Sequence, residues 1–294
     1  MNAQEPQATA LASGEVSLES VLARIESIAT LPEVGLRVMR IAQDPDASGA
    51  DLKRAVEGDA SLAARVLRMV NSAAYELQCT VNNLQQAINY LGFDQVRNLA
   101  LTGSMCEVFM NEGRIGPYLR RNLWKHLVTV AICARLVARR VGISNFEDAF
   151  LAGLMHDIGI ILIDQHANDA FRRVIAGLEH AETLAGAERR VFDFDHCLLG
   201  SQLAEHWGFP VPTRAAIRWH HDSRQYDGDG EEIVRCVEIA NVICTLKGVS
   251  SVGRKLVQPP LHACKAMDLS RDDIVVLGVD LETEIAASQT LFEQ

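Results

Sequence analysis

Apolar residues recur at intervals of three and four along most of the chain, and this spacing predicts α-helices throughout. The segments SLESVLARIESIA and PEVGLRVMRIAQD show it first, from Ser17 onward. Local signals mark further boundaries: Asp59 is placed to cap the helix in SLAARVLRMVNSAAY, and Gly92 is placed to end a later one. No segment alternates apolar and polar residues over a sustained length, as a half-buried strand would. The pattern predicts an all-α fold.

The same spacing continues after Leu119 and divides the chain into four expected parts. Residues 1–16 lack periodicity and are rich in Ala, Gln and Ser, which predicts a disordered lead. We expect a helical lobe over 17–112, a second helical lobe over 113–250 and a helical extension over 251–294. In the second lobe one helix is predicted from about Ala167 to Glu182. The tail from about Ser270 predicts two short helices and leaves a minor strand open at IVVLGV.

Composition is that of a soluble globular protein. The 294 residues are 48% hydrophobic, which supplies a sizeable core. Every apolar run is interrupted well before the roughly 20 residues that a membrane span needs, and no signal-peptide pattern is present. We therefore expect a cytoplasmic protein without a membrane partner. The seven cysteines are scattered and odd in number, so they are interpreted as buried, reduced thiols.

A formal net charge of -10 disfavours general binding to nucleic acid. One tract is an exception, because seven basic and no acidic residues occur between Arg114 and Phe146. The arginines near Gly142 suit the C-terminal end of a helix. Arg120, Arg121 and Lys125 have no such explanation and are candidate contacts for a phosphate or another ligand.

The stretch AFLAGLMHDIGIILI sets His156 and Asp157 side by side in a run that is otherwise apolar on every face of a helix. Burying a carboxylate and an imidazole costs several kcal/mol unless they are paired, hydrogen-bonded or bound to a metal. A structural pair and a metal or catalytic site are both open for an isolated doublet.

Further ligand-type residues interrupt later apolar helices. Histidine and carboxylate side chains are ligands that Zn, Mn and Fe prefer, and residues spread over separate helices could close around one or two ions. The candidates are His126, His156, Asp157, His196, His220 and His221. Successive helical residues are about 100° apart, so only one of the His220 and His221 pair is expected to point squarely inward.

The order His, His-Asp, His, His-His resembles the HD superfamily of metal-dependent phosphohydrolases over about residues 119–250. A narrower resemblance covers about 17–285. The segments LPEVGLRVMRIAQDPDAS, VEGDASLAARVLRMVNSAAY, QQAINYLGFDQVRNLAL, FLAGLMHDIG, HCLLGSQLAEHWGFP and AIRWHH resemble the HDOD domain, a bacterial signalling relative of HD and HD-GYP proteins. The resemblance implies a multi-helix fold in which an N-terminal lobe packs on an HD-like lobe.

The departures from the catalytic relatives concern the site itself. Where active HD enzymes place an Asp after the His pair, this chain has Asn241, whose amide brings no negative charge to balance a dication. HD-GYP enzymes continue HDIG with a lysine that contacts the scissile phosphate, whereas Ile160 stands here and cannot stabilise phosphoryl charge. The Gly-Tyr-Pro signature is also missing after His221.

The resemblance and its departures together imply a non-catalytic signalling module with a degenerate metal site. Such a module would act by binding a signalling protein, a small molecule or a nucleotide, and would hold a divalent ion (Fe, Mn, Zn or Mg) weakly or not at all. Two alternatives stay open at this stage. One is a metal-dependent phosphohydrolase with altered ligands, in which Arg121 or Lys125 replaces the lost cation, and the other is a regulator that binds nucleic acid or nucleotides through the basic tract.

Overall fold

The computed structural model describes residues 16–26, 32–44, 46–75, 77–110, 113–178, 182–253 and 258–292. Within them the fold is all-α apart from one small hairpin, as the periodicity predicts. The expected disordered lead falls almost wholly outside the described residues. In the part of the chain that is described, no helix combines the length and apolarity that crossing a membrane requires.

The first six helices form most of the N-terminal part. They are α1 (Leu18–Glu26), α2 (Glu33–Gln43), α3 (Gly49–Glu57), α4 (Ala60–Val70), α5 (Leu84–Leu91) and α6 (Phe93–Met110), with a 3₁₀ turn at Ala73–Tyr75. Asp59 caps α4 by accepting a hydrogen bond from the N–H of Leu62, and Gly92 ends α5 at φ +87°, both as expected. The long helix α6 packs against α2, α4 and α5 on one side and against the second lobe on the other.

A two-stranded hairpin, β1 (Arg114–Ile115) and β2 (Tyr118–Leu119), leads into the second lobe. Its helices are α7 (Arg120–Arg140), α8 (Phe146–Met155), α9 (Ile158–His166), α10 (Asn168–Ala176), α11 (Leu184–Val191), α12 (His196–His206), α13 (Val211–Trp219) and α14 (Glu231–Leu246), with a 3₁₀ turn at Ser223–Gln225. The helix predicted from Ala167 to Glu182 is shorter in the structure and ends at Ala176, because Gly177 caps it there.

The C-terminal part contains α15 (Leu261–Ala266), α16 (Arg271–Ala287) and a 3₁₀ turn at Gln289–Leu291. The prediction of a possible strand at IVVLGV is wrong, because that run lies inside α16. Ser270 and Asp273 form a capping box at its start, and Leu277 and Leu281 are buried where α16 packs on α7. Tertiary burial and a strong cap override the β-propensity of the valines.

Two sets of contacts tie the lobes together. Helix α1, expected to belong to the N-terminal lobe, packs against α9 and α12 of the second lobe, and the N–H of Leu18 donates to Asp193 Oδ1 at 3.0 Å. On the other side, Asn98 Nδ2 of α6 donates to the carboxylate of Glu147 on α8 at 2.8 Å. Arg135 of α7 is buried between Glu147 at 3.6 Å and Glu284 of α16 at 3.7 Å.

Glycines set the spacing of the helices around the His-Asp doublet. A Cβ at Gly153 would come within 2.8 Å of Ala131 Cα, so α8 lies directly against the backbone of α7. A Cβ at Gly159 would overlap the carbonyl group of His196, so α9 lies directly against the start of α12. The two glycines that flank the doublet therefore hold it next to the helices that carry His126 and His196.

We expect Gly159→Ala to lower the free energy of unfolding by about 3 kcal/mol, because the added methyl group would force α9 and α12 apart. Chemical denaturation measured by circular dichroism checks this value. Gly186→Ala in α11 is the matched control, since its nearest side-chain neighbour is Thr183 Oγ1 at 3.2 Å. It should stay within about 1 kcal/mol of wild type. Equal losses in both variants would contradict the proposed close contact.

Candidate metal centre

The His-Asp doublet forms the turn between α8 and α9. Helix α8 ends at Met155 and α9 begins at Ile158, so His156 and Asp157 do not lie within one continuous helix as the sequence suggested. Both residues are buried, at 0% and 2% exposure. Breaking the helix at this point turns the Asp157 carboxylate toward α7, α12 and the end of α13.

Four imidazoles from four different parts of the chain converge on that carboxylate. On one side, His126 Nε2 and His156 Nε2 lie 3.5 and 3.4 Å from Asp157 Oδ2. On the other side, His196 Nε2 and His220 Nε2 each lie 3.3 Å from Asp157 Oδ1. The carboxylate thus separates two pairs of histidines, and each of its oxygens faces one pair.

Each of these four rings is oriented by a hydrogen bond at its Nδ1 atom. The partners are the carbonyl oxygens of Val249 for His126 (3.0 Å), Gly153 for His156 (2.7 Å) and Ile217 for His220 (3.0 Å), and Glu188 Oε2 for His196 (2.6 Å). Carbonyl and carboxylate oxygens only accept hydrogen bonds, so Nδ1 carries the proton in each ring. In the neutral tautomer Nε2 is then a bare lone pair that points into the site.

This arrangement leaves the centre with acceptors and too few donors. His126 Nε2 and His156 Nε2 are 3.2 Å apart with a lone pair on each when both rings are neutral. Asp157 Oδ1 and His220 Nε2 are buried and make no hydrogen bond. Such a cluster is stable only if a cation or extra protons lie between the groups. The potential ligand atoms, on rings whose Nδ1 atoms are hydrogen-bonded to oxygens, fit a divalent metal.

The electrostatics of the centre also favour a positive charge beside Asp157. Burial would raise the pKa of Asp157, but the neighbouring imidazoles of His156, His126 and His196 hold it well below its ordinary value. Burial would lower the pKa of His196, yet Cys197, Glu188 and Asp157 raise it well above its ordinary value. Burial lowers the pKa of His220. The site therefore contains a carboxylate that is ionised and favours positive charge nearby.

Two groups of ligand atoms can be distinguished in the described residues. The His126 group consists of His126, His156 and Asp157, and the Cys197 group consists of His196, Cys197, His220 and His221. In each group the potential ligand atoms all lie within 4.8 Å of one another. Either group could hold an ion, with Asp157 Oδ1 also facing the second one.

A cavity of about 300 Å³ opens beside the centre. Asp157, His196, His220 and His221 are in its wall, and Glu238 and Asn241 of α14 lie opposite them. Glu182 and Glu238 add two carboxylates to that of Asp157, so the described wall is more suited to cations than to anions.

The structure brings six of the seven candidate ligands together. His220 is buried and His221 is exposed, yet both reach the centre, since His221 Nε2 lies 3.2 Å from His196 Nε2. Asn241 is half-buried in the cavity wall and belongs to neither group of ligand atoms. Their roles as metal ligands remain predictions. Ile160 is fully buried in the core and is absent from the wall of the cavity as described.

The basic candidates lie elsewhere. Arg120 Nε forms an ion pair with the buried carboxylate of Asp164 at 2.5 Å, and Tyr118 donates to the same carboxylate at 3.0 Å. Arg121 and Lys125 are exposed on α7. None of the three lines the described wall of the cavity. The guanidinium of Arg120 neutralises a buried acid, and the roles of all three residues as ligand contacts remain predictions.

Sequence reasoning missed two residues at the centre. Glu188 is fully buried, and its Oε2 atom accepts hydrogen bonds from both Nδ1 and the backbone N–H of His196. Its signal was its place four residues after Leu184 and four before Phe192, on the apolar face of α11. Cys197 was interpreted as a structural thiol, yet its Sγ lies 3.3 Å from His196 Nε2. Its signal was its position directly after a candidate ligand.

Comparison with known families agrees with the all-α architecture. The model of the HDOD domain matches residues 28–223. The chain belongs to the HDOD family. An HDOD domain protein of unknown function from Geobacter sulfurreducens has the same fold, with a TM-score of 0.77 and 27% identity over 95% of this chain and 98% of that one.

Other relatives of this HDOD protein carry different descriptions. A protein of Marinobacter aquaeolei VT8, provisionally assigned to signal transduction, has a TM-score of 0.72 and 24% identity over 92% of this chain and 59% of that one. A provisionally assigned phosphohydrolase of Shewanella amazonensis SB2B has a TM-score of 0.72 and 19% identity over 95% of this chain and 99% of that one. At these identities the likeness concerns the fold.

A curated relative, an uncharacterised protein of Treponema pallidum (strain Nichols), is 23% identical over 229 residues. The match takes in 76% of this HDOD chain but only 43% of the relative, so the chain spans less than half of that protein.

We expect Arg120→Ala to lower the free energy of unfolding by about 3 kcal/mol, because it leaves the buried carboxylate of Asp164 without a cation to neutralise it. Arg121→Ala, one residue further along the same helix, changes an exposed side chain and should stay within about 0.5 kcal/mol of wild type. Denaturant titrations of both variants make the comparison. A tolerated Arg120→Ala would contradict the stabilising role of this ion pair.

Proposed function

We propose that this HDOD chain is a regulatory module that binds a divalent metal ion at its HD-derived centre and does not hydrolyse phosphoesters. One observation carries the metal-binding part: the Nε2 atoms of four imidazoles face the ionised carboxylate of Asp157, and their Nδ1 protons are all committed to oxygens behind them. When bound, a divalent ion supplies the positive charge that this set of acceptors lacks, and with it the capacity to activate water.

The non-catalytic part is supported by what surrounds the centre. Hydrolysis of a phosphodiester needs, besides the metal, a cation that neutralises the phosphate. Ile160, which is buried in the core, stands where the HD-GYP enzymes resembled by this chain have a lysine. Asn241 offers the cavity a neutral amide where the active relatives resembled by this chain have a carboxylate. The chain then acts by binding, with a signalling protein or a small ligand such as a nucleotide as its partner.

A second candidate function is metal-dependent phosphoester hydrolysis. It is favoured by the position of Asp157, whose two oxygens face the two groups of ligand atoms separately. That arrangement suits a carboxylate shared by two ions, and two-ion centres stabilise both the attacking and the leaving oxygen of a phosphoester. A provisionally assigned metal-dependent phosphohydrolase of Shewanella amazonensis SB2B shares the fold, with a TM-score of 0.60 at 20% identity over 92% of this chain and 97% of that one.

Metal binding should stabilise the wild-type protein. After treatment with a chelator, adding Zn²⁺, Mn²⁺ or Fe²⁺ at about 100 times the dissociation constant should raise the free energy of unfolding by about 2.7 kcal/mol. His156→Ala should lose most of this gain, whereas His262→Ala, an exposed histidine on α15, should keep it. Each variant is compared with and without metal, so that any loss from the substitution itself cancels. No gain in the wild type with any of the three metals would contradict the metal site.

The metal-loaded wild-type protein should not turn over phosphoesters above the rate seen with metal alone. Cyclic dinucleotides, a linear dinucleotide and a chromogenic phosphodiester are incubated with the loaded protein, and products are separated by chromatography. Turnover that disappears in His156→Ala and persists in His262→Ala would refute the non-catalytic proposal and establish the second candidate.

A further inference from the structure

Cys197 lies inside the centre, at the first turn of α12. It is 3% exposed, and its Sγ atom lies 3.3 Å from Nε2 of the neighbouring His196. The potential ligand atoms of Cys197, His196, His220 and His221 all lie within 4.8 Å of one another. Cysteine sulfur and imidazole nitrogen are the ligand types that surround zinc in most structural and catalytic sites.

Two buried atoms point into this group without a hydrogen-bond partner. They are His220 Nε2 and Asp157 Oδ1, in residues that are 1% and 2% exposed. The atoms lie 3.3 Å apart, and Nδ1 of His220 is already committed to the carbonyl of Ile217. A buried nitrogen lone pair facing a buried carboxylate oxygen requires positive charge between or beside them. The Cys197 group therefore requires a positive charge that its own atoms do not supply.

A simpler arrangement accounts for part of this geometry. The thiol S–H of Cys197 can donate a weak hydrogen bond to His196 Nε2, since Glu188 holds the proton of that ring on Nδ1. That bond satisfies His196 alone. It leaves His220 Nε2 and Asp157 Oδ1 unsatisfied, as does the hydrogen bond that His221 Nε2 can donate to His196 Nε2 at 3.2 Å. A metal ion bound by the whole group satisfies all of them.

We propose that the Cys197 group binds one borderline-soft divalent ion, of the class of Zn²⁺, Co²⁺ or Fe²⁺, with the Cys197 thiolate as a ligand. This inference rests on the proposed function, and it assigns the metal class and a ligand that the HD order of histidines does not contain. On binding, the thiol releases its proton to solvent and the sulfur–metal bond forms. Thiolate ligands select softer ions over Mg²⁺, which prefers oxygen atoms and bound water.

The test uses Co²⁺ as a spectroscopic probe in the metal-free protein, under reducing, oxygen-free conditions. Wild type should develop the near-ultraviolet charge-transfer band of a sulfur–cobalt bond together with strong visible bands. Cys197→Ala should lack the charge-transfer band, and its affinity for Zn²⁺ in a competition titration should fall by more than about tenfold, since loss of even an outer-shell partner typically costs that much. Cys236→Ala is the matched control, because Cys236 is buried on α14 outside both groups of ligand atoms. It should keep the band.

The outcomes separate this inference from the proposed function. If the wild type binds Co²⁺ without a charge-transfer band, or if Cys197→Ala keeps the band, the thiolate ligand is refuted and the metal-binding module stands. If the wild type binds neither Co²⁺ nor Zn²⁺, the proposed function fails first. Should Cys197→Ala not fold, Cys197→Ser replaces it, and X-ray absorption of the zinc-loaded wild type decides directly. A sulfur scatterer about 2.3 Å from zinc supports the inference, and a shell of only nitrogen and oxygen overturns it.

Discussion

The whole second lobe depends on keeping an ionised carboxylate buried among imidazole rings. Asp157 is 2% exposed, and four Nε2 atoms surround its two oxygens. An isolated buried carboxylate would cost many kcal/mol, so each helix that contributes a ring also contributes to the stability of the charge. The same contacts therefore determine both the electrostatics of the centre and the packing of α7, α8, α12 and α13.

Short contacts between helices make this solution possible. Gly153 lets α8 touch the backbone of α7, and Gly159 lets α9 touch the start of α12. Larger residues at either position would move His126 or His196 away from Asp157. The same closeness fills the core around the doublet, and Ile160 takes part in that core. Polar chemistry at residues 156 and 157 is thus supported by apolar packing immediately before and after them.

Much of the fold was predictable because it is encoded locally. Helical spacing, the Asp59 cap and the Gly92 stop each act over a few residues, and so did the signals that located His126, the doublet and the His220 pair. What failed depended on tertiary contacts. The run IVVLGV became helical through burial of Leu277 and Leu281 against α7, and Arg120 found Asp164, which is 44 residues away.

The residues of the centre likewise divide into those with a local sequence signal and those that depend on tertiary contacts. Histidines in apolar helices stand out in a sequence, whereas Glu188 and Cys197 acquire their importance only from what the folded chain places beside them. The sequence also could not show that the helix breaks at His156, since both sides of the break are equally apolar. The break decides where the carboxylate points.

The hydrogen bonds at the Nδ1 atoms determine which substitutions near the centre leave the rings correctly oriented. Three of the four rings are oriented by peptide carbonyl groups, at Val249, Gly153 and Ile217, which every amino acid possesses. Substitutions at Val249 or Ile217 that preserve the path of the chain leave those anchors in place. His196 alone is oriented by a side chain, that of Glu188. A single codon change there removes an anchor, so the orientation of the centre is mutationally robust at three rings and fragile at one.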